Sequence, residues 1–136
     1  MSKRLDENLG SVGYDGLIVS NEPVADVFTV TLRKATGEAV TLKRGTVLAL
    51  STGSTGDSKM VILGTEATPS TETLTANCIL CDDTEVGTGA DVEALAYRTG
   101  HFARNKLIVG SSYSLTPADE EALRAAGILL SDALDY

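Results

Sequence analysis

Two cysteines, Cys78 and Cys81, have the residue type and spacing in this sequence that most directly suggest chemistry. A C-x-x-C pair can carry out thiol–disulfide exchange or supply two ligands to zinc. The surrounding segment, residues 74–81, has the pattern of a buried strand, in which residues three apart point to opposite faces. Zinc needs about four ligands, and the chain has a single histidine, His101, and no second C-x-x-C. We therefore interpret both residues as buried, reduced core cysteines.

Two further groups of residues have catalytic or metal-binding types. His101 lies between Arg98 and Arg104, a setting that suits a surface loop better than a catalytic base, and it is predicted to be a polar turn residue. Residues 82–85 (Asp-Asp-Thr-Glu) are the densest carboxylate group, but they lack the alternating acids and the glycine of a calcium loop. They are predicted to form a strand-ending turn. No phosphate-binding loop or nucleophile elbow is present, so we expect neither an enzyme, nor a metal site, nor a cofactor.

The charge is distributed unevenly along the chain, whose 11 basic and 19 acidic residues give a net charge of −8. Residues 1–50 are balanced, and residues 51–136 carry the whole excess of acid. An acidic body argues against binding to nucleic acid, which needs clustered Lys and Arg. No apolar run reaches the ~18 residues of a membrane helix, and no apolar segment follows the basic Lys3 and Arg4 as in a secretory signal.

Short apolar segments that alternate with Gly, Ser and Thr turns predict a mainly β (α+β) domain. The segments around 24–32 and 39–42, separated by a turn signal at 35–38, predict a β-hairpin. Further strands are predicted at 46–50, 59–63, 74–81, 92–98 and 106–109. Aromatic residues are only 4% of the chain, so its core must be aliphatic.

One short C-terminal helix is predicted from Pro117 to Ala126. Thr116 is a candidate N-cap, and Asp119 stands three residues later, as in a capping box. Pro117 occupies the first helical position, where proline is favoured. Gly127 is the expected left-handed residue that ends the helix.

Residues 1–23 are irregular and contain Gly10, Gly13 and Gly16, which predicts an extended N-terminal arm. The period-two pattern begins at Val24, so residues 24–136 are predicted to form one compact β domain. Removal of residues 1–23 is therefore expected to leave the domain folded.

Five segments of the sequence form a recognisable succession. They are a Gly-led strand, an Ile-Leu-x-x-Asp strand and turn, an alternating strand, a Gly-x-Phe turn before a leucine, and a helix that contains ALRAAGI. These segments are residues 45–48, 76–83, 89–95, 98–107 and 115–130. In this order they resemble the lambda-type head decoration proteins of bacteriophages. The resemblance covers about residues 40–130, and residues 1–30 match only as a glycine-bearing arm.

The resemblance implies a capsid cement protein without catalytic activity. Such proteins are small, mainly β homotrimers that bind the outside of the expanded phage head at local three-fold sites, in contact with the major capsid protein. They are made in the bacterial cytoplasm and stabilise the shell against packed DNA. The arm is expected to bind the capsid by strand addition. The predicted contacts are Lys3, Arg4, Leu5, Leu9, Val12, Tyr14, Leu17 and Ile18, with the two basic residues meeting acidic capsid groups.

Two alternatives remain open from the sequence. One is a phage surface or tail module that recognises a host glycan, for which exposed aromatic side chains would be needed. The chain offers four Tyr, two Phe and no Trp for this role. The other is a thiol-redox protein that uses Cys78 and Cys81, for which an exposed, low-pKa thiol would be needed.

Overall fold

A computed structural model describes residues 16–20 and 23–131 of the chain. This part of the chain is mostly β, with one α-helix (α1, Pro117–Ala126) and a 3-10 turn at Arg104–Lys106. The mainly β fold with a short C-terminal helix is therefore confirmed. The strands are β1 (Ile18–Ser20), β2 (Asp26–Leu32), β3 (Val40–Leu42), β4 (Val47–Thr52), β5 (Met60–Ile62), β6 (Thr73–Leu80), β7 (Thr84–Val86), β8 (Val92–Ala103) and β9 (Ile128–Ser131).

Five of these strands close into a small barrel. Their order is β8–β2–β5–β4–β6, and β6 pairs again with β8 to complete the ring. All of the pairings are antiparallel except the short contact of β2 with β5. Closure leaves these strands few open edges, which protects a small β domain from unwanted strand pairing.

The barrel is filled by aliphatic side chains from facing strands. Leu48 lies opposite Cys78, and Leu80 lies opposite Ala96. All four side chains are 0% exposed. Leu32 joins them at the end where β2 meets β5. The low aromatic content of the chain therefore suits a narrow barrel, in which small and branched side chains fill the interior.

Strand β8 is the longest strand, and it belongs to two ladders. Residues 92–99 lie in the barrel, residues 101–102 pair with β1 on one side, and residues 100–103 pair with β9 on the other. Gly100 stands at the junction with φ +146°, and a Cβ there would lie 2.7 Å from the Phe102 ring. A side chain at this position would clash, so glycine lets one strand serve both ladders.

Helix α1 begins and ends as predicted. The Thr116 hydroxyl accepts a hydrogen bond from the Asp119 N–H at 3.1 Å, and the Asp119 carboxylate accepts one from the Thr116 N–H at 3.0 Å. Gly127 ends the helix in the left-handed region at φ +116°. A Cβ at Gly127 would lie 3.0 Å from a Thr99 methyl group, so the turn also needs glycine for close packing on β8. Leu123 anchors the helix in the core.

The predicted hairpin over residues 24–42 is wrong. Strand β2 pairs along its whole length with β8, and β3 pairs instead with β7. The turn signal at 35–38 predicts that the chain changes direction, but it does not select the strand's partner. The alternating strand β8 offers β2 a seven-residue ladder, whereas β3 has only three residues. The chain's local hairpin is instead formed by β4 and β5.

The predicted strand at 106–109 is also wrong. Arg104–Lys106 form a 3-10 turn, and Ile108 makes a single parallel bridge with Thr46. The Ile108 N–H donates to the Gly45 carbonyl, and its own carbonyl accepts from Val47. The segment therefore passes the start of β4 without forming a ladder. The strands predicted near 46–50, 59–63, 74–81 and 92–98 are present. Among the described residues, no helix is long and apolar enough to cross a membrane.

Candidate functional site

Cys78 is a core residue, as predicted. It lies in β6, it is 0% exposed, and its Sγ is 4.0 Å from the Met60 sulfur. Neither cysteine forms a disulfide. Burial raises the pKa of the Cys78 thiol to about 12, so the reactive thiolate is strongly disfavoured at neutral pH. This environment does not support Cys78 as a redox nucleophile.

Cys81 differs from the prediction because it is only half-buried. It follows the end of β6, next to Arg44 and Tyr97. The Arg44 guanidinium donates to the Cys81 carbonyl at 3.0 Å and to the Tyr97 hydroxyl at 2.6 Å, and it lies 5.5 Å from the centre of the Tyr97 ring. Burial is the main cause of a raised Tyr97 pKa. This cluster fastens the 43–45 turn to the barrel wall.

His101 lies inside β8, so its prediction as a turn residue is wrong. It pairs with Ser20 of β1 and Leu129 of β9, and its Nε2 lies 2.9 Å from the Ser131 hydroxyl oxygen. The flanking arginines have carboxylate partners, because Arg98 pairs with Asp26 and Arg104 with Glu120. The sequence pattern around Gly100 predicts a turn, but the glycine bends the strand without ending it.

The acidic segment 82–85 is a structural turn and a short strand. The Asp83 carboxylate accepts a hydrogen bond from the Arg44 backbone N–H at 2.7 Å, and it lies 3.8 Å from the Lys43 ammonium. Residues 84–86 form β7, which the sequence analysis missed. No cluster of three or more metal-ligating side chains exists within residues 16–20 and 23–131.

A polar network, which the sequence analysis did not predict, fastens two loops at one end of the barrel. Arg33 donates to Asp57 at 2.9 and 3.0 Å and to Glu72 at 2.6 Å. Glu72 also accepts from the Ser51 hydroxyl and from the Thr68 N–H. Hydrogen bonds to the carboxylates hold the pKa of both Asp57 and Glu72 down to about 2. The partners are up to 39 residues apart, so no local pattern reveals the network.

The predicted capsid contacts fall into two groups. Lys3, Arg4, Leu5, Leu9, Val12 and Tyr14 lie outside the described residues. Leu17 is 1% exposed and belongs to the core cluster, so its side chain is not available to a partner. Ile18 is half-buried in β1, opposite Phe102.

The root of the arm is therefore joined to the body. The Ala103 N–H donates to the Leu17 carbonyl at 2.7 Å, and a Cβ at Gly45 would lie 3.6 Å from the Leu17 side chain. Residues 17–20, which the sequence analysis assigned to the arm, lie on the sheet of the body. On the other side of β8, Ala103 lies opposite Ser131 of β9. Strands β1 and β9 thus flank the same end of β8.

The family model for bacteriophage lambda head decoration protein D matches residues 14–131. The chain belongs to this family. No curated protein sequence matches it. The matched range begins just before the described root of the arm and includes the barrel, α1 and β9.

Membership of the family makes this chain a phage capsid decoration protein, located on the outer surface of the head and bound to the capsid. The resemblance noted in the sequence is thereby confirmed. The functional surface of such a protein is a docking face. The end of β8, where β1 and β9 meet the root of the arm, is our candidate for this surface.

Proposed function

We propose that the protein binds as a homotrimer at local three-fold sites of the expanded head, and that it stabilises the shell against packed DNA. Its direct partner is the major capsid protein. The observation that carries this proposal is the family match over residues 14–131. The role is structural and requires no catalysis, and the protein would be made in the host cytoplasm before it joins the virion.

Stabilisation follows from linkage. A ligand that binds the expanded shell and not its precursor lowers the free energy of the expanded state by RT ln(1 + L/Kd) at each site, where L is the free ligand concentration. Each site contributes modestly, and a lattice of repeated sites adds these contributions together. The net charge of −8 adds repulsion between unbound copies in solution, so assembly on the shell must be directed by specific contacts.

We propose residues 1–15 as the capsid-binding arm. This boundary replaces residue 23, because Leu17 is buried in the body and β1 pairs with β8. The arm retains Lys3, Arg4, Leu5, Leu9, Val12 and Tyr14 as proposed contacts. Because the arm would start next to the buried side chain of Leu17, a force on the arm would act directly on the barrel.

Cosedimentation with purified phage heads tests the proposal. The full chain should sediment with expanded heads and not with unexpanded ones, and a chain without residues 1–15 should bind at least tenfold more weakly. Double charge reversal at Lys3 and Arg4 tests their electrostatic role without shortening the arm. Undiminished binding of the shortened chain would reject the arm, and a density map with isolated monomers away from three-fold axes would reject the trimer.

A further inference from the structure

Strand β9 has one edge that no strand pairs with in the described part of the chain. Its other edge pairs in parallel with β8, from Gly100–Ile128 to Ala103–Ser131. Open edges present unpaired backbone groups, and proteins usually block or use them. Leu129, in the middle of this strand, is 38% exposed.

The ladder identifies which backbone groups point outward. In a parallel pair, alternate residues of one strand bond to a given neighbour. The Gly100 N–H donates to the Gly127 carbonyl at 3.2 Å, so the carbonyl of Gly127 and the backbone of Leu129 face β8. The N–H and the carbonyl of Leu130 therefore point to the open edge, where an added strand would find them.

A groove of about 430 Å³ follows this edge. It is lined by all four residues of β9, by Glu120, Glu121 and Arg124 of α1, and by Arg104 and His101. Because side chains alternate between the faces of a strand, a groove that touches four consecutive residues reaches the edge of β9, and its contact with His101 of β8 shows that it also extends over one face of the β8–β9 pair. Four residues of strand span ~13 Å, which suits a short extended peptide segment.

The walls of the groove suit a polar segment with some apolar content. Arg104 pairs with Glu120 at 3.0 Å, and Arg124 pairs with Glu121 at 2.6 Å. These exposed ion pairs balance each other, so the groove has no strong preference for one charge. Leu129 and Leu130 supply the apolar contact. Hydrogen bonds to the backbone of β9 would set the register of an added strand.

The position of the groove indicates its occupant. Ser131 of β9 and Leu17 of the arm root both lie beside Ala103, on opposite edges of β8. Neighbouring strands are ~4.8 Å apart, so β1 and β9 are ~10 Å apart. A shell surface that receives the arm would therefore also lie close to the groove.

We propose that the groove between β9 and α1 accepts an extended segment of the major capsid protein, which adds to the open edge of β9 as a strand. The inference rests on the proposed attachment of the arm to the shell. Attachment would then be reciprocal, because the arm reaches onto the shell and a segment of the shell pairs with the body. The two contacts lie on either side of one strand and together would fix the orientation of the domain.

Proline at position 130 tests the strand pairing. Leu130→Pro removes the outward N–H and leaves the bonds between Leu129 and β8 in place, since proline is tolerated where a strand's N–H faces an open edge. Loss of one backbone hydrogen bond should weaken binding to expanded heads about tenfold. Thr88→Pro, in an exposed turn outside the groove, is the matched control and should bind as the unmodified chain does.

Hydrogen exchange of the Leu130 amide gives a second readout that needs no substitution. On expanded heads at full occupancy the amide should exchange at least tenfold more slowly than in the unbound protein. Unchanged exchange on occupied heads would overturn the inference. So would protection without heads that rises with protein concentration, which would assign the edge to a second copy. The inference would equally be overturned if the Leu130 amide were protected without heads and lost this protection when residues 132–136 were removed. The chain's own C-terminal residues would then cover the edge.

These outcomes separate the two proposals. If the full chain binds expanded heads and residues 1–15 are needed, the proposed function stands whatever Leu130→Pro does. If Leu130→Pro then binds normally, provided that its thermal midpoint shows that it is folded, the groove proposal alone fails. If the full chain does not bind expanded heads, the proposed function fails first.

Discussion

Leu17→Ala should destabilise the isolated protein strongly, although Leu17 lies in a segment whose sequence looks like an arm. Its side chain is 1% exposed and belongs to the core cluster. Truncation of a buried leucine to alanine costs about 2–5 kcal/mol. The free energy of unfolding of a domain of this size is typically about 5–15 kcal/mol. We expect a loss of about 3 kcal/mol and a fall in Tm of roughly 10 °C.

Two matched changes isolate the cause. Val19→Ala alters the same strand at a side chain that is 38% exposed, and it should change the free energy of unfolding by about 0.5 kcal/mol or less. Removal of residues 1–15 should leave Tm within a degree or two. Removal of residues 1–23 should destabilise at least as much as Leu17→Ala, because it deletes the whole of β1.

Thermal and urea unfolding of the purified variants are the assays. The reasoning is refuted if Leu17→Ala and Val19→Ala have the same Tm. It is also refuted if the chain that begins at residue 24 is as stable as the full chain. The second result would restore the boundary predicted from the sequence and would show that β1 contributes nothing to the fold.

Three further predictions concern the rest of the molecule. Replacement of Cys78 and Cys81 by Ala should leave capsid binding intact and cost about 1 kcal/mol in packing; loss of binding in a folded variant would give the thiols a role. The free energy of unfolding should fall as the pH drops from 4.5 towards 2. Asp57 and Glu72 have pKa values of about 2 in the folded protein, whereas the same carboxyl groups have pKa values of about 4 in an unfolded chain, which therefore takes up protons first. Urea titrations at pH 6 and pH 3 measure this, and equal stabilities would contradict it. Heads decorated with the protein should release DNA at a higher temperature than bare heads; equal rupture temperatures at full occupancy would leave a decoration role without stabilisation.

Local signals in the sequence predicted the helix almost completely. Thr116, Pro117, Asp119 and Gly127 act within one or two turns of the chain, and each meets its partner within four residues. The strands near 46–50 and 92–98 were also readable, because period-two patterns depend only on neighbouring residues. The physical information for these elements is contained in short windows of sequence.

Pairing between strands that are distant in sequence could not be predicted from such local patterns. Strand β1 is three residues long and follows Gly16, so its pattern is too short to separate it from an arm. Strand β9 follows the helix directly and pairs in parallel with β8, and nothing in its four residues identifies that partner. The full length of β8 was missed for a related reason. A glycine within a strand, here Gly100, has the same local sequence pattern as a turn.

The anchor at Leu17 bears on how the proposed arm could bind with useful affinity. Ordering a free segment costs conformational entropy for every residue fixed. In a longer unanchored segment, this cost would offset a larger part of the binding free energy. Fixing residues 17–20 on β8 limits the ordered length to residues 1–15, which can extend over about 50 Å. In a trimer, the first bound arm would hold the other two close to their sites and raise their effective concentration. The same anchor would hold the β9 groove in a fixed position relative to the arm, so binding at one contact would position the other. A rigid root therefore favours reciprocal attachment over a flexible tether.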